Sequence, residues 1–496
     1  MFQLLLGRSG FGKTSWIYDQ MAAWAETASG PLFLLVPEQF SFESERALLQ
    51  RLGTAAANHV QVISFTRLAE TLCPPRGEPR MDDTVRALLM SEALQSCADQ
   101  LTLYRRHTAN SDYLDCLLSL LTECKQSGIS PQQLDETAEA LPDNALRQKT
   151  KELSLILAAY EALAGQAYVD PLDDLSTLAD HLDSHPLSPD TRIAIDSFNG
   201  FTGQEMQVLQ RLIAQSAHLT VALCTDTLDG ETAGISPFAP VTRTAARLIR
   251  MARDNHVAVC EPVYLTERHR TASAALNLVE QGAFSPLAEA NSQTTDDVLL
   301  LSCDDLYAEC EAAARLIRRQ VREQGLHYRD FAIVVRQLAD YQGILDAALD
   351  KQDIPYYLDS RRNVLSDSLF ALATTALQVA GGDWDTALLL RLAKTGLTGF
   401  SAHSVALLEN YAFTWRIAGS RWRREWTDHP DGLSVKADES SRKRLNYLNQ
   451  LRRRLVTPLD TLAAALHRPQ LDGEAFARAV YRYLLDVRAD RLLRLQ

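Results

Sequence analysis

No stretch of this chain approaches the ~20 consecutive apolar residues that a helix needs to cross a bilayer, and the N-terminus lacks a charged region followed by an apolar segment and a cleavage site. Met1 runs straight into an apolar segment, so a cytoplasmic chain with nothing removed and no membrane partner is expected. The eight cysteines form no C-x-x-C pair, which leaves out the usual zinc and redox spacings. Several fall in apolar helical stretches, where a reduced thiol behaves as a small hydrophobe. There is no repeat of fixed period and no low-complexity tract. Basic residues are outnumbered, 50 against 63 acidic ones, and the net charge of −13 excludes a general polyanion-binding surface, though not a local basic stripe. What the chain does have is apolar content: 46% of 496 residues is enough for several packed cores and about three domains.

The most specific signal stands at the start. The apolar run Phe2 to Leu6 leads into Gly7-Arg8-Ser9-Gly10-Phe11-Gly12-Lys13-Thr14, which fits the phosphate-loop pattern G-x-x-x-x-G-K-[ST]. Glycines are required because the backbone must curl around a phosphate with its N–H groups inward. Lys13 is placed to reach the β- and γ-phosphates, Thr14 to put its hydroxyl on Mg²⁺, and the helix opening near Thr14 to aim its positive dipole end at the same charge. ATP and Mg²⁺ are the expected ligands.

Buried strands read as continuous apolar runs between turn residues. Leu32 to Val36, Val60 to Ser64, Ile193 to Ile195 and Leu219 to Leu223 fit, with helical patterns between them, so an α/β fold with a parallel sheet follows. Between about Pro74 and Asp190 the spacing is helical throughout, which predicts a helical insertion. A second α/β unit is predicted from near Asp297, with Val298 to Ser302 before a helix, a strand at Phe331 to Val335, another helix and the short segment Ile354 to Leu358 after a turn, and helices again from about Asp383. The chain stops at Gln496 inside a charged helical run and reads as a fragment.

Hydrolysis needs more than a phosphate loop. Asp196, closing an apolar strand, is the candidate second holder of Mg²⁺, but the next residue is Ser197, where a water-activating glutamate is usual in helicases. Serine is no general base at neutral pH, and such a loss lowers rates by on the order of 10²–10⁴. Slow or absent hydrolysis is therefore expected, with Glu205 as a candidate substitute base and Arg270 and Arg336 as candidate cations for the γ-phosphate.

The loop at 7–14, Leu35-Val36-Pro37-Glu38-Gln39-Phe40-Ser41-Phe42, Val62-Ile63-Ser64-Phe65-Thr66-Arg67-Leu68-Ala69 and Ile195-Asp196-Ser197-Phe198-Asn199-Gly200-Phe201-Thr202 together resemble AddB subunits of bacterial AddAB helicase–nucleases. The segments Tyr328 to Arg336, Ile354 to Asp359, Lys394 to Leu397 and Leu408 to Tyr411 agree in order. The resemblance covers essentially the whole chain. It implies a superfamily 1 helicase-like build with two RecA-like lobes: 1–74 and 190–290 as the first, 75–189 as its insertion, 291–382 as a partial second lobe and 383–496 as that lobe's truncated insertion.

It further implies a degenerate motor that tracks single-stranded DNA and recognises the hotspot Chi, an AddA-like partner, duplex DNA ends as substrate, and a role in double-strand break repair. A nuclease domain and a 4Fe-4S cluster are implied for a missing C-terminal half; the E-x-K string Glu123-Cys124-Lys125 sits in a helical pattern and is read as incidental. UvrD-type helicases follow the strand-ending Asp with Glu and then Phe-Gln-Asp, whereas this chain has Ser197-Phe198-Asn199-Gly200, which agrees with the non-motor reading. An active superfamily 1 helicase, or a scaffold with a vestigial nucleotide site, are the alternatives.

Candidate DNA contacts are Ser64, Phe65, Thr66 and Arg67, because ligands of open α/β sheets gather at the carboxyl ends of strands. A second set, Arg421, Trp422 and Arg423, interleaves cations with an aromatic face suited to stacking bases, with Arg442 to Arg444 and Arg452 to Arg454 nearby in sequence.

Overall fold

The computed structural model describes residues 1–496 except 58–59, 76, 108–110, 229–235, 271–272, 283–289, 291–293, 359–363, 365–366, 383, 434–437 and 495–496. The expected junctions at 291 and 383, and Asp359, lie outside the described residues. The chain divides into two units, Met1–Leu300 and Leu301–Gln496.

In the first unit β1 (Phe2–Leu6), α1 (Lys13–Thr27), β2 (Leu32–Leu35), α2 (Ser41–Ala57) and β3 (Val60–Ile63) are followed by a run of helices. These are α3 (Phe65–Leu72), α4 (Asp83–Ser96), α5 (Ser111–Ser127), α6 (Pro131–Ala140), α7 (Ala145–Ala167) and α8 (Asp174–Ser184). The chain then returns through β4 (Arg192–Ile195), α9 (Gly203–Gln215), β5 (His218–Leu223), α10 (Ala239–Asp254), β6 (Val263–Tyr264) and α11 (Ala274–Gly282). The six strands form one sheet in the order β3-β2-β4-β5-β1-β6, and each neighbouring pair is parallel. The protein is thus α/β, as the alternation of apolar runs and helical spacing requires.

Both faces of the sheet are covered, which is why its strands are apolar at successive positions. Phe2, Leu4, Leu6, Phe33, Leu35, Ile193, Ile195, Leu219 and Val221 pack with α3, α8, α9 and α10 on one side. Leu5, Leu32, Leu34, Ala194 and Ala222 pack against Ile17, Met21 and Trp24 of α1 and Leu48 of α2 on the other. The helices between β3 and β4 have a core of their own, built on Met90, Leu94, Leu117, Leu121, Ile156, Leu157 and Tyr160. Lys125 of α5 is buried there and donates to Asp170 at 2.9 Å and Asp173 at 2.6 Å, so the lysine of the E-x-K string is an internal counter-ion.

The second unit holds α12 (Leu306–Gln324), α13 (Leu345–Lys351), α14 (Ser368–Ala380), α15 (Thr386–Lys394), α16 (Ala402–Thr414), α17 (Glu439–Leu466), α18 (Gly473–Asp486) and α19 (Ala489–Leu493). Its main core joins α14 to α18 around Leu372, Leu389, Leu408, Tyr411, Trp422, Leu455 and Leu459. The strand expected at 331–335 is corrected: neither it nor the apolar segments 298–302 and 354–358 of the same expected α/β unit make a ladder with any described residue. A parallel strand needs hydrogen-bonded neighbours to bury its apolar side chains. Without them Leu300 is 94% exposed and Val334 90%.

Glu152 of α7 is the principal polar anchor of the inserted helices. Its carboxylate accepts the N–H groups of Thr102, Leu103 and Tyr104 at 3.0 to 3.2 Å, the Thr102 hydroxyl at 2.6 Å and the Gln148 amide at 2.9 Å. Burial pushes this carboxyl up, but the bonds from Thr102, Gln148 and Leu103 outweigh it and hold it down at about 2. A folded-state value below the ordinary ~4.3 adds stability that is complete above that value and drains away as pH falls towards about 2. Glu152→Gln is expected to destabilise the fold by about 1–3 kcal/mol near neutrality and to flatten this acid limb, read from thermal midpoints against pH; an unchanged acid limb refutes the anchor.

Candidate functional site

The carboxyl edge of the sheet gathers residues from distant parts of the chain. β1 delivers the loop 7–12, in which Gly10 and Gly12 both have φ of +83°. That left-handed conformation favours glycine. Gly12 caps α1 with no side-chain hydrogen bond, so the first N–H groups of α1 are left facing the loop for an anion. The Lys13 ammonium folds back on the loop, donating to the carbonyls of Gly7 at 2.7 Å and Arg8 at 2.9 Å. Burial lowers the affinity of Lys13 for its proton, Cys224 and Asp196 oppose this, and Arg270 adds to it, with a net downward shift.

β4 delivers Asp196, which is 3% exposed and accepts the Thr14 hydroxyl at 2.7 Å. The two oxygens are hard donors already in contact. They suit Mg²⁺, which is commonly held by one or two protein oxygens while phosphates and water complete its shell. The donor set therefore fits the ion expected from the sequence. No cluster of three or more His, Cys, Asp or Glu able to hold a metal occurs among the described residues.

A third element roofs the loop. The His269 N–H donates to the Gly10 carbonyl at 3.0 Å, and the Arg270 guanidinium donates to the Ser9 hydroxyl at 3.1 Å. A Cβ at Gly10 would lie 2.8 Å from Cβ of Arg270, and one at Gly12 3.2 Å from the His269 ring. Arg8 is held from the side by Asp226 at 2.6 Å and Glu280 at 3.2 Å, and Glu280 also pairs with Arg268 at 2.9 Å. The resulting cavity, about 480 Å³, is lined by Ser9, Gly10, Gly12, Lys13, Thr14, Ser15, Asp196, Ser197, Phe198, Asn199, Ala222, Cys224, His269 and Arg270. Sequence reasoning missed His269 and Cys224, and placed Asn199 in the segment after Asp196 without giving it a role at the site. The neighbour of His269, Arg270, was named as a candidate cation.

Asp196 is the one carboxylate among the lining residues described. Glu205 is corrected as a substitute base: its carboxylate accepts the Thr202 N–H at 2.7 Å and closes the capping box of α9. Arg336 is an exposed residue of the second unit and is described there alone.

The candidate DNA contacts separate by burial. Ser64 caps α3 by accepting the Arg67 N–H, and Phe65, 3% exposed, packs edge-on against Phe198 at 5.5 Å and Phe201 at 6.1 Å. Both are internal, which corrects their reading as direct contacts; Thr66 and Arg67 are exposed. Trp422 is corrected as well. It is fully buried, donates to the Thr386 hydroxyl at 3.1 Å and meets Trp426 edge-on, so it offers no face to a base. Arg421 donates to the carbonyls of Trp415 and Arg416, while Arg423 lies over the Trp384 ring at 4.1 Å and pairs with Asp460 at 2.6 Å. Arg452 is buried against the Trp422 carbonyl, and Arg444 pairs with Asp431. These cations mostly tie helices together.

Comparison with known proteins gives consistent matches. The family model described as ADDB, N-terminal, matches residues 4–280, more than half of the chain. A protein of Acetivibrio thermocellus, named as the B subunit of an ATP-dependent helicase/deoxyribonuclease, is 30% identical over 468 residues, 92% of this chain and 41% of that protein. Proteins of the same name from Ruminiclostridium cellulolyticum and Clostridium kluyveri are 27% and 25% identical over 99% and 98% of this chain. The chain spans less than half the length of these relatives.

The geometry of the loop makes one substitution decisive. Gly10→Ala forces a side chain into positive φ and against Arg270, so the loop and its roof must separate. A loss of about 1–3 kcal/mol in stability is expected. Affinity for a fluorescent ATP analogue should fall at least tenfold, measured by anisotropy; retained affinity would show that the loop does not need its present shape.

Proposed function

The chain belongs to the AddB family, matching its N-terminal part, and from that premise we propose that it is the ATP-binding, DNA-binding portion of the AddB component of a helicase–nuclease that processes double-strand breaks for recombinational repair. The observation that carries the reading is the Thr14–Asp196 contact beside a glycine loop with free helix N–H groups. In this reading the N–H groups of the loop and of α1 hold the phosphates, Lys13 exchanges its two carbonyl partners for phosphate oxygens, and Arg270 supplies a further cation from the roof. Thr14 and Asp196 would hold Mg²⁺, which neutralises charge on the bridging phosphate oxygens when bound.

Turnover is weak in this proposal. Ser197 follows Asp196, no second carboxylate lines the cavity among the described residues, and Glu205 is committed to its helix cap. The protein then acts as a degenerate helicase half, tracking single-stranded DNA and recognising Chi, while an AddA-like partner supplies the motor. Thr66 and Arg67, exposed at the carboxyl edge of the sheet, are the DNA contacts retained from the sequence. Residues 1–74 and 190–290 are assigned to the first RecA-like lobe, 75–189 to its insertion, 291–382 to part of a second lobe and 383–496 to the insertion of that lobe. Nuclease chemistry and a 4Fe-4S cluster are assigned to the portion of the longer relatives that this chain does not match. No helix among the described residues is long and apolar enough to cross a membrane.

An active helicase and a scaffold with a dead nucleotide site are the competing readings, and one pair of measurements separates them. A fluorescent ATP analogue is expected to bind, with Lys13→Ala lowering affinity about 10- to 100-fold, the worth of hydrogen bonds from a charged donor. DNA-stimulated hydrolysis by the purified protein should stay below about one per second, as loss of a general base implies. Lys13-dependent turnover well above that makes the chain a motor, and binding that ignores Lys13→Ala makes it a scaffold.

A further inference from the structure

The outer face of α10 carries charge that the fold does not use. Val241, Ala245, Leu248 and Ala252 are buried positions of this helix and pack against the sheet. At about 3.6 residues per turn, Arg243, Arg247 and Arg250 line up on the opposite side, and Arg253 flanks them. All four arginines are exposed. Among the described residues their one side-chain hydrogen bond stays within the helix, from Arg243 Nε to the Ala239 carbonyl at 3.4 Å, and none of them makes an ion pair.

Carboxylates are missing where a solvated face would carry them. Residues 239–253 contain four arginines and no acid, and Asp254, the last residue of α10, pairs with none of them. Arg243 and Arg247 stand four residues apart and Arg247 and Arg250 three, spacings at which like charges on a helix repel. α9, packed beside α10, adds a single carboxylate, Glu205, and that one is held in its helix cap. Packing does not call for such a ridge in a chain whose acids outnumber its bases 63 to 50.

The charge selects the partner. A chain of net charge −13 can hold DNA only through a local basic surface. Arg421, Arg423, Arg444 and Arg452 are committed to carbonyls or carboxylates of their own unit. On α12, Arg315, Arg318 and Arg319 are offset by Glu311, Asp353 and Glu323. The α10 guanidiniums keep their N–H groups open, and their fork suits the oxygens of a phosphate. No aromatic residue occurs in α10, so bases find no face to stack on and only a backbone is held. From Arg243 to Arg253 the ridge runs ~15 Å, the axial rise of about four base pairs at ~3.4 Å each, so several phosphates of one strand come within reach. On the basis of the DNA-binding reading, we propose that the outer face of α10 docks the sugar–phosphate backbone of duplex DNA without regard to sequence, apart from the contacts of Thr66 and Arg67.

The test compares the full-length protein with its Arg247→Gln/Arg250→Gln variant, glutamine being a good helix former, and with Arg315→Gln/Arg319→Gln, which removes the same charge from α12. The probes are two fluorescein-labelled duplexes of unrelated sequence, a labelled oligothymidylate and a labelled polyglutamate. Affinity for both duplexes is expected to fall about tenfold in the α10 variant, with a salt slope flatter by about 1.8, the worth of two phosphate contacts. Arg247→Lys/Arg250→Lys should keep most of that affinity, and the α12 variant all of it. Binding of a fluorescent ATP analogue should not change in any variant. Duplex binding that ignores the α10 substitutions, or that falls equally in the α12 variant, overturns the proposal while leaving DNA binding itself in place. Failure of every protein to bind duplex or oligothymidylate overturns the DNA-binding reading as well. A loss confined to oligothymidylate makes the partner a single strand, and one confined to polyglutamate makes it an acidic protein segment; either result overturns docking of a duplex.

Discussion

The short hydrogen bond from Thr14 to Asp196 is the constraint around which the first unit is arranged. It joins residues 182 positions apart, one at the start of α1 and one at the end of β4. Three strands and their connections must be in register for it to form. Phe2 to Leu6 of β1 run alongside Leu219 to Leu223 of β5, which in turn pairs with β4 from Arg192 to Ile195, so the two oxygens arrive at the same level of the sheet. A hydroxyl donating to an ionised carboxylate is among the stronger hydrogen bonds, yet it is small against the apolar burial that positions it. Leu4, Leu6, Ile193, Ile195, Leu219 and Val221, all at most 1% exposed, hold the strands on one face, and Leu5, Ala194 and Ala222 on the other. The chemistry of the edge depends on packing beneath it.

The same edge is closed by electrostatics of a different kind. Arg8, within the loop, is tied to Asp226 beyond β5 and to Glu280 of α11, and Arg268 shares Glu280. Arg8 also lies 5.4 Å from the Phe238 ring centre and Arg268 5.7 Å from that of Phe11. Each partly exposed pair is worth little alone. As a network they fix the segment that carries His269 and Arg270 over the loop, which no single contact would. The phosphate loop is therefore shaped from below by β1 and α1 and from above by residues about 260 positions later in the chain.

The sheet and the loop were legible because their signals are local. A doubly covered strand reads as an unbroken apolar run, and Leu32 to Leu35, Ile193 to Ile195 and Leu219 to Leu223 are strands in the structure. The glycine spacing fixes the loop by sterics alone. β6, only Val263 and Tyr264, is too short to leave such a run. The stretches 298–302, 331–335 and 354–358 carry the same apolar signal without pairing, because pattern reports what a segment could bury and says nothing of whether a neighbour is there to bury it. Trp422 fails for a related reason. Arg-Trp-Arg-Arg-Glu-Trp reads equally as a DNA patch or as a packed turn, and here the rings go inward while the long arginine stems reach around them. His269 and Cys224 had no spacing to betray them, since their place at the pocket is set by tertiary contacts alone.

The residue after Asp196 joins the edge around the glycine loop to the rest of that rim. Ser197 has φ of +68°, outside the strand conformation and in the region that L side chains avoid. The chain therefore leaves β4 abruptly just after Asp196. A glutamate at the same φ would bear the same strain with a longer side chain to place. The turn instead brings Phe198 back against Phe65 and Phe201, so one reversed residue separates the carboxylate that meets Thr14 from an aromatic cluster at the head of α3. Strain of this size persists only where surrounding packing over-determines it, and here that packing is the aromatic cluster. Asp196 cannot shift along its strand without carrying Ser197 through its strained turn and displacing Phe198 from Phe65. Position 197 is thus shaped to connect two parts of the sheet edge, the carboxylate that meets Thr14 and the aromatic cluster at the head of α3.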